Sequence, residues 1–438
     1  MRSALVFLAR AAAGLLALQV VFLLLLVAAQ AVPNGPIIRH LDEAVATGDY
    51  GAEYAPDGFG GTADRFTECV VVGYGVSSPD DPRSVWYRAT GGPRLSSCVE
   101  GVAQVRSLAA GETLLPGAGY FRYWSGYSVL TRPALALLDL PGLRLLVAGL
   151  LAVATAVAYS VLARRLGRGA ALAPLVPLAV ASNAMAMPST AFSHGIALAA
   201  VAAGVAGTAV LSRWGWRGAA VGAGLAAAVF NYVDLLTVPP MSWALCAAVA
   251  GAVVHVARGR LRLTLGAVLA AGAAWPVAFA VTWVSRWVIA ALVQGPGVFS
   301  RVAEVGRFRV SGDAGTVVQH ELGAPTRANL RLWLDTTSTA RPLLVVAAVV
   351  VVSALVLAAR RRGVEGVVVA AVLAAPALVV PAWYELMSNH SQIHAFFTYR
   401  SIPAAVGIAV MAALVAARRP APASGRRVAT GAELVPAA

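Results

Sequence analysis

Residues 11–38 read AAAGLLALQVVFLLLLVAAQAVPNGPII, a stretch without any charged residue between Arg10 and Arg39. The hydrocarbon core of a bilayer is about 30 Å thick, and a helix needs roughly 20 apolar residues to cross it. The apolar region of a secretory signal has only about 7–15 residues. The length therefore favours a retained transmembrane helix over 1–32. Ala-Ala-Gln-Ala at 28–31 resembles a signal-peptidase site, so a cleaved signal is the alternative.

The rest of the chain repeats this composition. Of its 438 residues, 59% are hydrophobic and 12% are charged, whereas soluble domains have about 25% charged residues. Further apolar stretches lie near 143–163, 170–187, 191–212, 218–236, 240–257, 263–292, 342–359, 363–382 and 401–417. With the first stretch they predict an all-α integral membrane protein with about ten transmembrane helices. A soluble globular enzyme, a disordered chain and a coiled coil are excluded.

The charge distribution predicts how these helices are oriented. All 34 basic residues are arginine and the net charge is +14. Arginines cluster in short breaks, such as Arg164-Arg165 and Arg360 to Arg362, and such breaks are typically cytoplasmic. With ten spans and both termini cytoplasmic, 17 arginines and 2 acids lie inside, and 17 arginines and 18 acids lie outside. The excess charge therefore indicates orientation and attraction to lipid head groups, and no nucleic-acid partner is expected.

This orientation divides the chain into six segments of a multi-pass plasma-membrane protein whose active face is extracytoplasmic. They are the first helix over 1–32, a large outer loop over 33–141, helices 2–7 over 142–292, a second outer loop over 293–341, helices 8–10 over 342–418, and a cytoplasmic tail over 419–438. Cys69 and Cys98 both lie in the first outer loop. Because an oxidising compartment preserves disulfides, we expect a Cys69–Cys98 bridge, with two free thiols as the alternative.

The chain lacks the common nucleotide and metalloprotease motifs. It contains no G-x-x-x-x-G-K-[ST], no C-x-x-C, no H-E-x-x-H, and no G-x-G-x-x-G after a strand. An ATP-driven transporter and a cytoplasmic nucleotide-sugar enzyme are therefore disfavoured, and the polar residues of the outer segments become the candidates for a site.

Acidic residues are abundant in the first outer loop, which includes Asp42, Glu43, Asp64 and Glu68. A carboxylate that faces a cavity at the membrane surface can act as a general base on an acceptor hydroxyl. Asp64 and Glu68 are four residues apart and would share one helical face. The apolar residues 70–72 that follow predict that this stretch packs against the spans. The alternative is an ordinary solvated loop.

An aromatic segment follows at 120–127, Tyr-Phe-Arg-Tyr-Trp-Ser-Gly-Tyr. Its rings, Trp124 and Tyr127 among them, could stack on a sugar, with Arg122 or Arg132 binding an anionic group. The alternative is a belt of aromatic anchors at the membrane interface.

Three ionisable residues near the outer ends of later spans are further candidates. Asp234 ends the fifth span, and an ionisable residue at membrane depth favours a functional role; a structural pair with Arg286 is the alternative. His390 and His394 are four residues apart and would share a helical face. No cofactor is indicated, and a divalent metal at these histidines is the alternative to a role in binding phosphate or sugar.

Arg400 and His194 are two more candidates at the ends of spans. Arg400, at the head of the last span, is suited to clamp an anion. His194, at the start of the fourth span, is interpreted as a packing residue.

Four blocks of this sequence, at 64–68, 120–133, 234–237 and 389–400, resemble the conserved blocks of a group of bacterial polytopic membrane proteins. The layout of that group is similar to the C-type (GT-C) glycosyltransferase superfamily. The resemblance implies many transmembrane helices, an acidic base in the first outer loop, and a polyprenyl-phosphate sugar as donor. The chain departs from the blocks in having Arg65 to Glu68 where Asn-x-Thr-Asp is usual, and Ser125 where His is usual.

The expected function is an integral membrane glycosyltransferase that transfers a sugar from the lipid carrier to a cell-envelope glycan, lipid or protein. Asp64 is the expected base, with Asp42 or Glu43 as a second candidate. The phosphate would be held by Arg122, His390, His394 and Arg400. Two alternatives remain: a transporter or lipid flippase, whose polar groups usually lie near the bilayer midplane, and a non-catalytic protein of envelope assembly.

Overall fold

The computed structural model describes residues 2–190, 192–315 and 317–418. Its regular secondary structure is helical apart from one antiparallel hairpin of β1 (Tyr54–Pro56) and β2 (Thr62–Asp64). The fold is therefore all-α, as the composition predicts. The predicted cytoplasmic tail 419–438 lies outside the described residues.

The helices follow one another closely along the chain. They are α1 (Arg2–Gln30), α2 (Asn34–Thr47), α3 (Arg65–Gly73), α4 (Val85–Gly91), α5 (Cys98–Ala109), α6 (Ser128–Leu137), α7 (Leu140–Leu166), α8 (Arg168–Leu172), α9 (Val176–Val180), α10 (Met187–Thr190), α11 (Phe192–Leu211), α12 (Trp216–Val233), α13 (Pro239–Arg258), α14 (Leu261–Gln294), α15 (Gly297–Ser311), α16 (Ala324–Thr336), α17 (Ala340–Arg362), α18 (Val364–Ala374), α19 (Val379–Leu386), α20 (Ser388–Ile393), α21 (Ala395–Thr398) and α22 (Ser401–Ala416). Short 3₁₀ turns occupy Ser212–Trp214 and Ala375–Leu378.

In the part of the chain that the structure describes, eight helical segments are long and apolar enough to cross a membrane. They are Ser3–Gln30, Leu140–Leu166, Phe192–Trp214, Pro239–Arg258, Leu261–Gln294, Ala340–Arg362, Val364–Leu386 and Ala395–Ala416. Each reaches the roughly 20 residues that a bilayer requires. The molecule is a membrane-spanning helical protein.

Two of the ten stretches predicted to span are not among these eight segments. The stretch 170–187 is divided into α8 and α9, because Pro174 and Pro177 cannot continue a helix that begins at Arg168. The stretch 218–236 forms the 18-residue helix α12. Its polar first and last turns, around Arg217 and Asn231, shorten its apolar part. The number of crossings and the side of each terminus stay predictions.

Contacts between helix ends follow the grouping that the charges predict. Arg217 lies 3.3 Å from the Ser3 hydroxyl, and Arg362 lies 3.0 Å from His255. Arg361 donates to the carbonyl of Ala417 at 2.6 Å. Each of these contacts joins two breaks that the positive-inside rule assigns to the same side. The side of the membrane on which these breaks lie stays a prediction.

The predicted outer loop 33–141 is a folded layer that contains α2 to α6. A disulfide joins Cys69 on α3 to Cys98 on α5, with Cα atoms 5.3 Å apart, which confirms the bridge predicted from the sequence. Val70, Val71 and Val72 are buried. The bridge and these side chains fix α3 against the helices beneath it.

Arg132 on α6 holds the end of the first transmembrane helix. Its guanidinium donates to the carbonyls of Ala29 (2.8 Å), Val32 (2.9 Å) and Tyr74 (3.2 Å), and to Oδ1 of Asn34 (2.8 Å). Four of its five N–H groups are therefore occupied, and burial lowers its pKa to about 10. In this structure Arg132 fastens α1 and α3 together.

Candidate functional site

Asp64 lies at the junction of β2 and α3, where its side chain caps the helix. Oδ1 accepts a hydrogen bond from the Thr67 amide at 3.0 Å, and Oδ2 accepts one from the Thr67 hydroxyl. Oδ2 also lies 3.2 Å from Nε2 of His194 on α11. A carboxylate has about four acceptor positions, so three hydrogen bonds leave one position free on this buried group.

His194 connects Asp64 to Arg400. Nη1 of Arg400 lies 2.7 Å from Nδ1 of His194. Because a guanidinium can only donate, Nδ1 accepts and the ring proton must be on Nε2, from which it is donated to Asp64. The contacts of the histidine thus fix a single neutral tautomer.

Arg400 is held in place from a second direction. Its Nε donates to Oδ1 of Asn183 at 2.6 Å, and Nδ2 of Asn183 donates to Oδ2 of Asp57 at 2.6 Å. Asp57 in turn accepts the amides of Phe59 and Gly61 through Oδ1. A continuous chain of hydrogen bonds therefore runs from Asp57 to Arg400, and through His194 it continues to Asp64.

His390 and His394 form a second part of the same site. Their ring centroids are 4.7 Å apart, and Arg309 on α15 donates to Nε2 of His394 at 2.5 Å. His390 donates from Nε2 to the carbonyl of Leu236 at 2.8 Å, while its Nδ1 is buried and has no partner among the described residues. The site therefore contains a free, buried hydrogen-bond acceptor.

Phe397 joins the two groups of histidines. Its ring stacks on His394 at 5.1 Å between centroids, and it meets His194 edge-on at 5.1 Å. The residues Asp64, His194, His390, His394 and Arg400 are defined here as the outer polar site.

The charge states within the outer polar site follow from burial and hydrogen bonding. Burial tends to raise the pKa of Asp64, but the hydrogen bonds from His194 and Thr67 outweigh it, so the pKa lies below its usual value. Burial, with Arg309 nearby, lowers the pKa of His394 to about 4. Burial and the neighbouring His394 hold the pKa of His390 well below its usual value. At neutral pH the site contains an ionised carboxylate and neutral imidazoles.

A metal centre needs several converging ligands. Over residues 2–190, 192–315 and 317–418, no three His, Cys, Asp or Glu side chains are placed to hold one ion. His390 and His394 are close to one another, and within the described residues no third ligand joins them.

Asp64, the N-cap of α3, and Glu68, in its first turn, both bind the first turn of α11. Glu68 accepts the amide of Phe192 at 3.0 Å and pairs with Arg144 on α7 at 2.6 Å. Arg144 also pairs with Asp49 at 2.8 Å. Burial raises the pKa of Glu68, and the Arg144 charge opposes this effect. Glu68 thus docks α3 onto the bundle, while Asp64 faces His194.

Asp42 and Glu43, the second candidates for the base, lie on α2. Glu43 is exposed and Asp42 is half-buried, beside a surface cavity of about 290 Å³ that Arg39 also lines. Within the described residues, no hydrogen bond or ion pair joins either carboxylate to the outer polar site.

The aromatic segment 120–127 forms a separate cluster against α14. Trp124 is buried and donates to the carbonyl of Thr282 at 2.6 Å, and Tyr127 is buried beside Tyr74. The Arg122 guanidinium lies over the Tyr120 ring, 4.7 Å from its centroid. Among the described residues, no hydrogen bond or ring contact joins Arg122, Trp124 or Tyr127 to Asp64.

Asp234 shapes a turn that supports the site. It follows α12, and its carboxylate accepts the amide of Thr237 at 2.8 Å together with the Thr237 hydroxyl. Within this turn Leu236 has φ of +67°, and its carbonyl accepts the hydrogen bond from His390. A pair between Asp234 and Arg286, the alternative considered from the sequence, is not formed, because Arg286 donates to backbone carbonyls instead.

An apolar groove of about 70 Å³ lies between helices of the bundle. It is lined by residues of α7, α9, α11 and α13 together with Ala184 and Met185, which directly follow Asn183. Met185 is exposed. No residue of the outer polar site is among those that line this groove.

Several residues of the site were not predicted from the sequence. His194 was interpreted as a packing residue, although an ionisable group at the first turn of a span was a usable signal. Asn183, Asp57 and Arg309 gave no local signal, because their roles depend on contacts with distant residues.

The chain was compared with protein families, curated proteins and solved structures. No family model, no curated protein and no solved structure matches this chain.

Proposed function

We propose that this protein is a membrane glycosyltransferase that transfers a sugar from a polyprenyl-phosphate donor to a cell-envelope acceptor at the extracytoplasmic face. The observation that carries the proposal is the contact of His194 with both Asp64 and Arg400, at 3.2 and 2.7 Å. This contact holds a carboxylate and a cation on opposite sides of one imidazole, which supports a role for the carboxylate as base and for the cation in binding phosphate.

In the proposed reaction, Asp64 accepts the proton of the acceptor hydroxyl. The acceptor oxygen forms a bond to the anomeric carbon while the bond from that carbon to the phosphate oxygen breaks. Polyprenyl phosphate leaves with the electron pair. The free acceptor position of Asp64 suits this role, and the hydrogen bond from His194 fixes its orientation.

Arg400 is proposed to bind the phosphate. Three of its five N–H groups are used, and one of these meets the sulfur of Met187 at 2.9 Å, which is a weak acceptor. The other two N–H groups are available to an oxyanion. His394, held by Arg309, supplies a further polar group on the same side.

The apolar groove supports a lipid-linked donor. The residues that line it are apolar except for Thr155, and two of them, Ala184 and Met185, directly follow Asn183, which orients Arg400. We propose that part of a polyprenyl chain packs there.

The test uses the purified full-length protein with a polyprenyl-phosphate sugar and an envelope-derived acceptor, and measures sugar transfer. Asp64→Asn should lower transfer by at least about 100-fold, the usual contribution of a general base. Asp335→Asn, an exposed carboxylate in a surface ion pair, is the control and should transfer at the wild-type rate.

Full transfer by Asp64→Asn would refute the assignment of the base. Mass spectrometry of lipids that co-purify with the protein tests the donor class separately. Finding no polyprenyl lipid, together with no transfer from any such donor, would refute the proposed function.

A further inference from the structure

Arg286 on α14 is a buried cation without an anionic partner. It is 0% exposed, and no carboxylate pairs with it within the described residues. Its Nε donates to the carbonyl of Tyr123 at 2.9 Å, and its Nη1 donates to that of Ala89 at 3.0 Å. Nη2 has no partner. Buried charges are normally paired because leaving water is costly.

Three hydroxyl groups lie around this guanidinium. Tyr74 donates to the same Ala89 carbonyl at 3.3 Å, and the Tyr74 and Tyr127 rings meet edge-on with centroids 6.0 Å apart. Ser125 lies beside both phenols. Burial raises the pKa of Tyr74 and of Tyr127, and the Ser125 hydroxyl opposes this in each case. Among the described residues, neither the Ser125 nor the Tyr127 hydroxyl has a hydrogen-bond partner in good geometry, although Ser125 is close enough to both phenols to affect their pKa.

The backbone at Ser125 is itself unusual. Its φ is +60°, a conformation that serine rarely adopts and that persists only where its surroundings impose it. The following amide, of Gly126, donates to the carbonyl of Tyr232 at 2.7 Å. A strained turn therefore holds an unpaired hydroxyl close to an unpaired cation.

Unpartnered buried polar groups in a native structure call for a ligand, such as an ion or water. Here the free groups are a guanidinium N–H and two hydroxyls, all able to donate. Arg286 and the three hydroxyl residues are at most 1% exposed, so a ligand that satisfies them must be small. Water would satisfy the hydroxyls but would not neutralise the charge.

We propose that Arg286, Ser125 and Tyr127 bind a halide ion beside Tyr74, with chloride as the physiological ligand. The ion would accept hydrogen bonds from Nη2 and from the hydroxyls of Ser125 and Tyr127, and would neutralise Arg286. Because Arg286 also holds the carbonyl of Tyr123, the ion would fix the aromatic segment against α14. This site is distinct from the outer polar site and does not depend on the proposed function.

The test is the thermal stability of the full-length protein in detergent, with sodium gluconate replaced by sodium chloride at constant ionic strength. Chloride should raise the Tm of the wild type in a saturable manner. Arg286→Met should abolish this dependence. Arg144→Met is the matched control: it removes another buried arginine, one that pairs with Asp49 and Glu68, and should keep the chloride dependence at a lower Tm.

Ser125→Ala and Tyr127→Phe keep the test decisive if an arginine variant fails to fold. Without a bound anion, removing an unpartnered buried hydroxyl is neutral or stabilising. If an anion is bound, each variant should raise the chloride concentration that gives half of the Tm increase about tenfold. This factor is equivalent to one lost hydrogen bond.

A bromide soak should give an anomalous peak within hydrogen-bond distance of Arg286 Nη2. Equal Tm values of the wild type in chloride and in gluconate would overturn the proposal. So would electron density beside Arg286 Nη2 that has no anomalous signal after the bromide soak, because such density is ordered water.

Discussion

The two ends of α7 contain arginines with opposite roles. Arg144, near the start, is buried and pairs with Glu68 and Asp49. Arg164, in the last turn, is exposed and belongs to a break that the charge pattern assigns to the cytoplasm. A buried guanidinium must have hydrogen-bond acceptors within reach, because it has lost its contact with water. An exposed guanidinium is hydrated and needs no particular partner, so only the side of the membrane on which it lies matters. The same residue type therefore positions the site at one end and indicates orientation at the other.

The largest change in the free energy of unfolding should come from replacing Arg144, the buried arginine of α7. Arg144→Met leaves Glu68 buried without its counter-ion and should lower the free energy of unfolding by about 3–5 kcal/mol. Arg164→Met, on the same helix, should change it by no more than about 0.5 kcal/mol. Denaturant unfolding in detergent measures both. Equal effects would contradict the contrast between the two ends.

Loss of the disulfide should have the next largest effect at the site end. The bridge closes a loop between residues 29 apart in sequence, so Cys69→Ser with Cys98→Ser should cost about 2–4 kcal/mol. Reduction of the wild type should reproduce this loss. Cys246→Ser, which removes the buried free thiol, serves as the comparison and should not alter the response to reductant. A bridge-free variant as stable as the wild type would show that α3 is fixed by packing alone.

Acid should destabilise the outer polar site through His394. Its pKa falls from 6.5 to about 4 on folding, so the unfolded chain binds the proton more strongly. The stability that His394 contributes is therefore present above pH 6.5 and is lost as the pH falls toward 4, by about 2 kcal/mol at pH 5.

His394→Gln should remove this part of the pH dependence, as measured by unfolding at pH 7 and pH 5. His320→Gln, an exposed histidine, should leave it unchanged. An unaltered pH dependence in His394→Gln would exclude His394 as the group responsible.

The smallest effect is expected at the arginine-rich end. Arg360 is exposed at the last turn of α17, and Arg360→Gln should change the free energy of unfolding by less than about 0.5 kcal/mol. Cysteine accessibility in intact cells, with single cysteines placed at 164 and 320, would show on which side each end lies. Labelling of both positions from the same side would overturn the orientation.

The local parts of the fold and site were predictable from sequence. Eight of the ten apolar stretches predicted to span form long apolar helices among the described residues, and these helices and the disulfide depend on composition or on shared location in one loop. The separate roles of Asp64 and Glu68 were not predictable, because Glu68 pairs with Arg144 on α7 and Asp64 contacts His194 on α11. Those partners are set by helix packing.

The sequence by itself determined that this is a helical membrane protein, and its arginine pattern predicts the orientation. Both depend on the hydrophobic length and the charge of each segment, which do not depend on its tertiary contacts. Only the tertiary structure decided which scarce polar groups meet. Asp64, His194 and Arg400 lie on three distant segments, and packing of α3, α11 and the start of the last helix brings them into one chain of hydrogen bonds. The same packing buries Arg286 without a counter-ion, because the neighbours to which it donates are the backbone carbonyls of Ala89 and Tyr123.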